Sequence, residues 1–225
     1  MNVNEVYTLI QYIVNKNQQG YVSPSDFNQV INQAQKSYTS YLLGSFQGYM
    51  PGRPVARVEF GQNSVIRDRL SPIIRSNYTL NIDSTGFSPY PTDYLQTDAI
   101  ITTSFQRVRY VQQDSLYSYY NSVIDPISSN PIYLMETAGF RFYPVGLGTA
   151  ILSYVKNPPI IIWGYTTDPV TGRPVYDPTP GVSIDPVWDD AAIFEIISRA
   201  LSLIGVNLQS AAISQFAESI KREGQ

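Results

Sequence analysis

Residues 132–156, IYLMETAGFRFYPVGLGTAILSYVK, decide the fold class. They hold three consecutive runs rich in β-branched and aromatic residues: Ile132–Glu136, Gly139–Tyr143 and Thr149–Val155. Glu136-Thr137-Ala138-Gly139 forms a hairpin turn between the first two. Strand candidates recur outward from this centre, at Arg75–Ile82, Ala99–Phe105, Val108–Gln112 and Ile160–Tyr165. Ser64–Leu70 and Asp114–Val123 read as short helices, the second carrying Leu116, Tyr119, Tyr120 and Val123.

Both flanks of this region are helical. Val3, Val6, Tyr7, Ile10, Ile13 and Val14 fall at helical spacing, with Asn2 and Glu5 placed as a capping box. A second helix opens at Ser23, with Pro24 in its first turn and Asp26 completing Ser-x-x-Asp. Its apolar stripe is Phe27, Val30, Ile31, Ala34, Tyr38, Tyr41 and Leu42, and Gly44 is the stop. Near the other end, Asp185 caps and Pro186 opens a helix with the stripe Val187, Ala191, Phe194, Ile197, Ala200, Leu201 and Ile204. Gly205 ends it, and a last helix runs from about Leu208 to Arg222. Between the strands and these helices lies Thr167-Asp168-Pro169-Val170-Thr171-Gly172-Arg173-Pro174, whose Asp-Pro and Gly are turn chemistry. It predicts a β-hairpin with its tip near Thr171–Gly172, and Pro174, Pro178 and Pro180 make the return limb an edge or extended strand.

The expected architecture is therefore α+β. Terminal helix pairs from residues 1–47 and 184–225 pack as a bundle. Residues 48–183 form a central, mostly antiparallel β insertion, from which an arm at about 163–182 projects. Such an arm has little core of its own. Asp168, Pro169, Thr171, Gly172 and Arg173 are its candidate subunit-locking residues, and an ordinary surface loop is the alternative.

Composition narrows the chemistry. The 225 residues are 43% hydrophobic but only 15% charged, and the polar balance rests on Ser, Thr, Asn, Gln and 18 Tyr. Tyr and amide side chains give contact area and hydrogen bonds without the desolvation cost of charge, as expected of a chain that buries surface against partners. With no His and no Cys, imidazole bases, thiol nucleophiles, disulfides and zinc sites are excluded together. No nucleophile motif, P-loop or dinucleotide fingerprint occurs, and Gly146-Leu147-Gly148 is too short for one. The acids Asp185, Asp189, Asp190 and Glu195 read as a helix start rather than a metal site. Asp93, Asp98 and Asp114, the other conceivable carboxylate pair, read as turn and cap residues. No catalytic residue, cofactor or metal is expected. No stretch approaches the roughly 20 apolar residues of a membrane span, and the start lacks a secretory pattern.

The net charge of −3 calls for no polyanionic partner, yet charge is unevenly placed. Five arginines fall between Arg53 and Arg75. Further along, Phe105-Gln106-Arg107-Val108-Arg109-Tyr110 interleaves aromatics with Arg, as nucleic-acid-binding strands do. Strict alternation puts Arg107 and Arg109 on one face and Val108 and Tyr110 on the other, which equally describes a half-buried strand. Arg53, Arg57, Arg67, Arg69, Arg107 and Arg109 are the candidate DNA contacts, against a solvated or subunit-facing surface.

Several stretches together resemble structural proteins of tailed bacteriophages of the crAss-like kind. They are Asn2–Tyr7, Asn15–Asn28, Tyr90-Pro91-Thr92-Asp93-Tyr94, and Pro131-Ile132 with Phe142-Tyr143-Pro144. Leu152–Pro159 with Trp163 follows, then Asp185-Pro186-Val187-Trp188, Ile204–Leu208 and Gln215-Phe216-Ala217. Their shared order spans most of the chain. The resemblance is to head–tail connectors, portal adaptors and neck ring proteins of podovirus-type particles. It implies a virion structural protein made in the host cytoplasm, forming a homo-oligomeric, typically dodecameric ring between portal and tail. Such a ring continues the DNA channel and touches the portal, further neck or tail proteins and packaged DNA. It implies no catalytic residues. Another virion component (tail tube, baseplate or fibre anchor) is the alternative, and a tail-associated glycan hydrolase the remote one.

Overall fold

The chain is α+β. The computed structural model describes residues 1–16, 20–44, 64–119 and 125–205. The helix expected from about Leu208 to Arg222 lies outside the described residues, as do Arg53 and Arg57. The chain divides into two compact units: Met1–Pro72 with Pro158–Gln225, and Ile73–Asn157. The sequence pattern draws that division after 47 and 183 instead. The arm groups with the helices because its base is bonded to them, as shown below.

In the first unit, α1 (Val3–Lys16) starts at the expected capping box. The Asn2 side chain accepts from the Glu5 N–H at 2.8 Å, and Glu5 accepts from the Asn2 N–H at 2.9 Å. In α2 (Pro24–Leu42), Ser23 accepts from the Asp26 N–H at 3.1 Å. Each such cap contributes about 1 kcal/mol. The seven-residue α3 spans Ser64–Leu70. The last described helix, α5 (Asp190–Ile204), packs mainly against α2 and ends on Gly205 in the left-handed region.

Helix α5 corrects the predicted start. Its N-cap is Asp189, not Asp185, and the carboxylate of Asp189 accepts from the Ala192 N–H at 3.1 Å. Asp185 accepts instead from the N–H of Val3. The later start rotates the stripe: Ala192, Ile193, Ile196, Ile197, Ala200 and Leu201 are buried, while Ala191 and Phe194 are exposed. Tyr41 of α2 is likewise exposed, lying under the Arg199 guanidinium 4.9 Å from its ring centre.

The second unit pairs two sheets. In one, β7 (Thr149–Lys156) lies between β1 (Ile74–Asn81) and β3 (Tyr94–Thr102), antiparallel to both. In the other, the order is β2-β6-β5-β4, with β2 at Phe87–Pro89, β4 at Arg109–Tyr110, β5 at Ile132–Met135 and β6 at Gly139–Tyr143. The predicted β5–β6 hairpin is present, closed by Glu136 N–H donating to Gly139 O at 2.9 Å. Burial alternates along β7, as one buried face requires. Leu80, Ile100, Leu152 and Tyr154 from the first sheet meet Tyr133, Phe140 and Phe142 from the second in one core. The short helix α4 (Leu116–Tyr119) covers a smaller cluster of Val111, Ile132 and Leu134.

One strand goes unpredicted and one predicted strand ends early. Phe87–Pro89 carries no alternation and escapes detection, yet pairs with β6 because Gly139 lets it approach. A Cβ there would sit 2.2 Å from the Ser88 carbonyl oxygen. Ala99–Phe105 stops at Thr102, because Thr103–Phe105 form a tight loop. Thr102 N–H donates to Gln106 O at 2.8 Å and Phe105 N–H to Thr102 O at 3.0 Å. Phe105 closes that loop at φ 60°, the left-handed position of a three-residue hairpin loop. A side chain there costs about 1–2 kcal/mol.

Candidate functional site

The arm is a hairpin of β8 (Tyr165–Thr167) and β9 (Pro174–Tyr176), three residues each, joined through Asp168–Arg173. Pro174 opens its strand, where its missing N–H costs no ladder bond. The turn is organised by Asp168. Its carboxylate accepts from Val170 N–H at 2.9 Å and from the Thr171 hydroxyl at 2.6 Å. Its carbonyl accepts from Gly172 N–H at 2.9 Å, with Gly172 at φ 68°. The Thr171 hydroxyl bond, seconded by Val170 N–H, holds the Asp168 carboxyl below the usual range, so Asp168 is anionic at neutral pH. The loop's backbone is thus fixed by its own side chains, and it presents Val170 at 90% exposure. Tyr165 and Val175 are also exposed.

A two-stranded hairpin is marginal in water by itself. This one is pinned at its base. Trp163, buried, stacks on Tyr7 of α1 at 4.2 Å between ring centres and also touches Tyr165 and Tyr176. Its indole N–H donates to Asn4 Oδ1 at 3.1 Å. Residues 159–163 run extended beside α2, whose amides bond their backbone at alternate positions. Asn28 Oδ1 accepts from Trp163 N–H at 2.8 Å while its Nδ2 donates to Trp163 O at 3.3 Å. Asn32 repeats this with Ile161, at 2.9 and 2.7 Å. Gln35 Nε2 donates to Pro159 O at 2.9 Å, and its oxygen accepts from the Trp188 indole at 3.1 Å. The opposite edge pairs Ile162 with Ile184. The stretch predicted as strand Ile160–Tyr165 therefore has its ladder, but one rail of it is a helix.

The sequence pattern singles out Asp168, Thr171 and Gly172, and the structure puts all three in the turn; Pro169 and Arg173 are exposed beside them. It does not single out the anchor, Trp163 with Asn28, Asn32 and Gln35. The spacing of those amides at i, i+4 and i+7 on one helix face was the available signal.

The described candidate arginines fall in both units. Arg67 and Arg69 lie exposed on α3, and Arg69 pairs with Glu195 at 3.0 Å. Arg107 and Arg109 lie exposed in the other unit. Among the described residues, no group of three or more acids stands close enough to hold a metal ion, and no helix is long and apolar enough to cross a membrane. In comparisons with known proteins, the chain matches no family model and no curated protein.

Proposed function

We propose that this chain is a non-enzymatic virion structural protein, a ring subunit of a phage neck between portal and tail. Its arm seats on the neighbouring copy in the ring, and its terminal helix pairs form the bundled wall. The observation that carries the assembly half is the pinned hairpin, whose turn satisfies its own polar groups and leaves Val170 uncovered. A preorganised apolar knob loses little entropy on docking, which suits it to a neighbour's pocket. A head-to-tail contact of this kind closes into a ring when the rotation permits. The placement in a phage neck is supported by the order of the motifs from Asn2 to Ala217. Portal, adjoining neck or tail proteins and passing DNA are the partners this reading assigns.

The test has two arms. Light scattering of the purified chain is expected to give a defined oligomer, and Val170→Asp to shift it to monomer with the thermal transition unchanged. Cryo-imaging of particles is expected to trace the chain between portal and tail. Density in a tail tube, baseplate or fibre base would reassign the protein to another virion part. Cell-wall-degrading activity lost in Asp93→Asn would refute the structural role.

A further inference from the structure

We infer that the face formed by Phe105, Arg107 and Arg109 is a binding site for single-stranded nucleic acid. This goes beyond the ring assignment and does not depend on it. Phe105 is 81% exposed although it occupies a left-handed position that glycine would fill without strain. A bulky ring held there against its backbone preference, and left in water, points outward to a ligand. The loop holding it is closed by Thr102, whose N–H donates to Gln106 O at 2.8 Å and whose hydroxyl accepts from the Gln106 N–H at 3.1 Å.

The segment leaving the loop is extended and bonded on successive edges. Val108 N–H donates to Ile100 O at 2.9 Å, and Arg109 N–H donates to Pro131 O at 3.1 Å. Val108 is buried while Arg107 and Arg109 are exposed, so the two-residue period places the two guanidinia on one face about 7 Å apart along the strand, with exposed Phe105 two residues before Arg107 at the end of the loop. No carboxylate occurs between Asp98 and Asp114, which leaves this stretch with two positive charges and none negative. Among the described residues Arg107 makes no ion pair. Arg109 is braced by Asn130, whose oxygen accepts from its Nη2.

An aromatic face stacks on any base, and guanidinia meet phosphates. No set of groups here reads base edges, so the site tolerates any sequence. Stacking on Phe105 needs an unstacked base, which favours single strands over duplex. Two guanidinium–phosphate contacts make the binding salt-dependent, and the chain's net charge of −3 adds no long-range attraction to them.

The experiment is fluorescence anisotropy of a labelled oligothymidine of about twenty nucleotides, and of a duplex of equal length, titrated with the full chain between about 50 and about 200 mM salt. The single strand is expected to bind more tightly than the duplex. Phe105→Gly is expected to weaken it about tenfold or more while the melting temperature does not fall, because glycine relieves the left-handed backbone. Phe105→Trp retains binding. Arg107→Gln with Arg109→Gln flattens the slope of log K against log salt by about 1.4, two contacts at about 0.7 each. Equal binding of duplex and single strand overturns the proposal, as does an unchanged affinity in Phe105→Gly or an unchanged salt slope in the double variant. Loss of self-association in Phe105→Gly with nucleic-acid binding intact also overturns it, assigning the ring to a contact between copies.

Discussion

Asn32→Ala tests whether the amides of α2 replace a β-strand. The Asn32 side chain accepts from the Ile161 N–H at 2.9 Å and donates to the Ile161 carbonyl at 2.7 Å, and Ile161 is 2% exposed. Truncation removes both bonds and leaves a buried N–H and a buried C=O without partners. Each lost bond costs about 1 kcal/mol, and each orphaned group adds up to about 1 kcal/mol more where water does not reach it. The expected loss is therefore about 2–4 kcal/mol, against about 0.5 kcal/mol or less for an exposed control such as Thr166→Ala.

Both tryptophans, Trp163 and Trp188, belong to the helical unit, so tryptophan emission excited beyond the tyrosine absorption band reports its unfolding. For a unit of this size the loss corresponds to about 5–15 °C in the transition. Hydrogen exchange supplies the local readout: the amides of Ile161 and Trp163 lose protection first, ahead of those of β7. Asn32→Asp is expected to be at least as harmful, because a carboxylate oxygen replaces the donor facing the Ile161 carbonyl. A transition in Asn32→Ala within about 2 °C of the parent, with Ile161 still protected, would refute the reasoning.

Other outcomes follow from the same structure. Gly139→Ala is expected to cost about 3 kcal/mol or more, since a backbone oxygen stands 2.2 Å from the added Cβ; Gly146→Ala, strained at φ 95° but in open space, costs about 1–2 kcal/mol, and near-ultraviolet circular dichroism of the tyrosines compares them. Burial pushes the Tyr133 and Tyr154 hydroxyls up to about 12, so the stability they carry is complete below pH 10 and is lost as pH rises towards 12; Tyr133→Phe makes that alkaline loss shallower in a pH series of urea melts. The Asp168 carboxyl is held low, so its hold on the turn is complete above the ordinary carboxylate pKa and lost as pH falls through the folded value; exchange at the Val170 amide rises there first, and Asp168→Ala shows the same opening at neutral pH.

The helices were legible where local chemistry fixes them. Asn2 with Glu5 is a reciprocal pair of side-chain-to-backbone bonds, and the Ser23 hydroxyl accepts from the Asp26 N–H while donating to the Asp26 carboxylate, so within one turn spacing alone predicts both. The start of α5 misleads because Asp185-Pro186 has the same composition as a true cap, and Asp185 is occupied elsewhere by the Val3 amide. Strands with one buried face, β7 above all, announce themselves by alternation. Phe87–Pro89 does not, since its pairing depends on the missing side chain of Gly139, about fifty residues away.

The arm shows the same divide within one element. Its turn is local, so Asp168, Thr171 and Gly172 stand out in the sequence as turn residues. Its rigidity is not local: it comes from Trp163 stacked on Tyr7 and from amides of α2, bonded across more than 120 residues of chain. A hairpin with only its turn chemistry would fray in water and pay an ordering cost on meeting a partner. Pinned from below, the hairpin is shaped before any partner reaches it, so in the ring assembly proposed above a neighbour's pocket would need to supply only the burial of Val170 and its flanking apolar groups. That makes the anchor and the tip separable by experiment. Val170→Asp should abolish seating with the arm intact, whereas Asn32→Ala should weaken seating by loosening an unaltered tip.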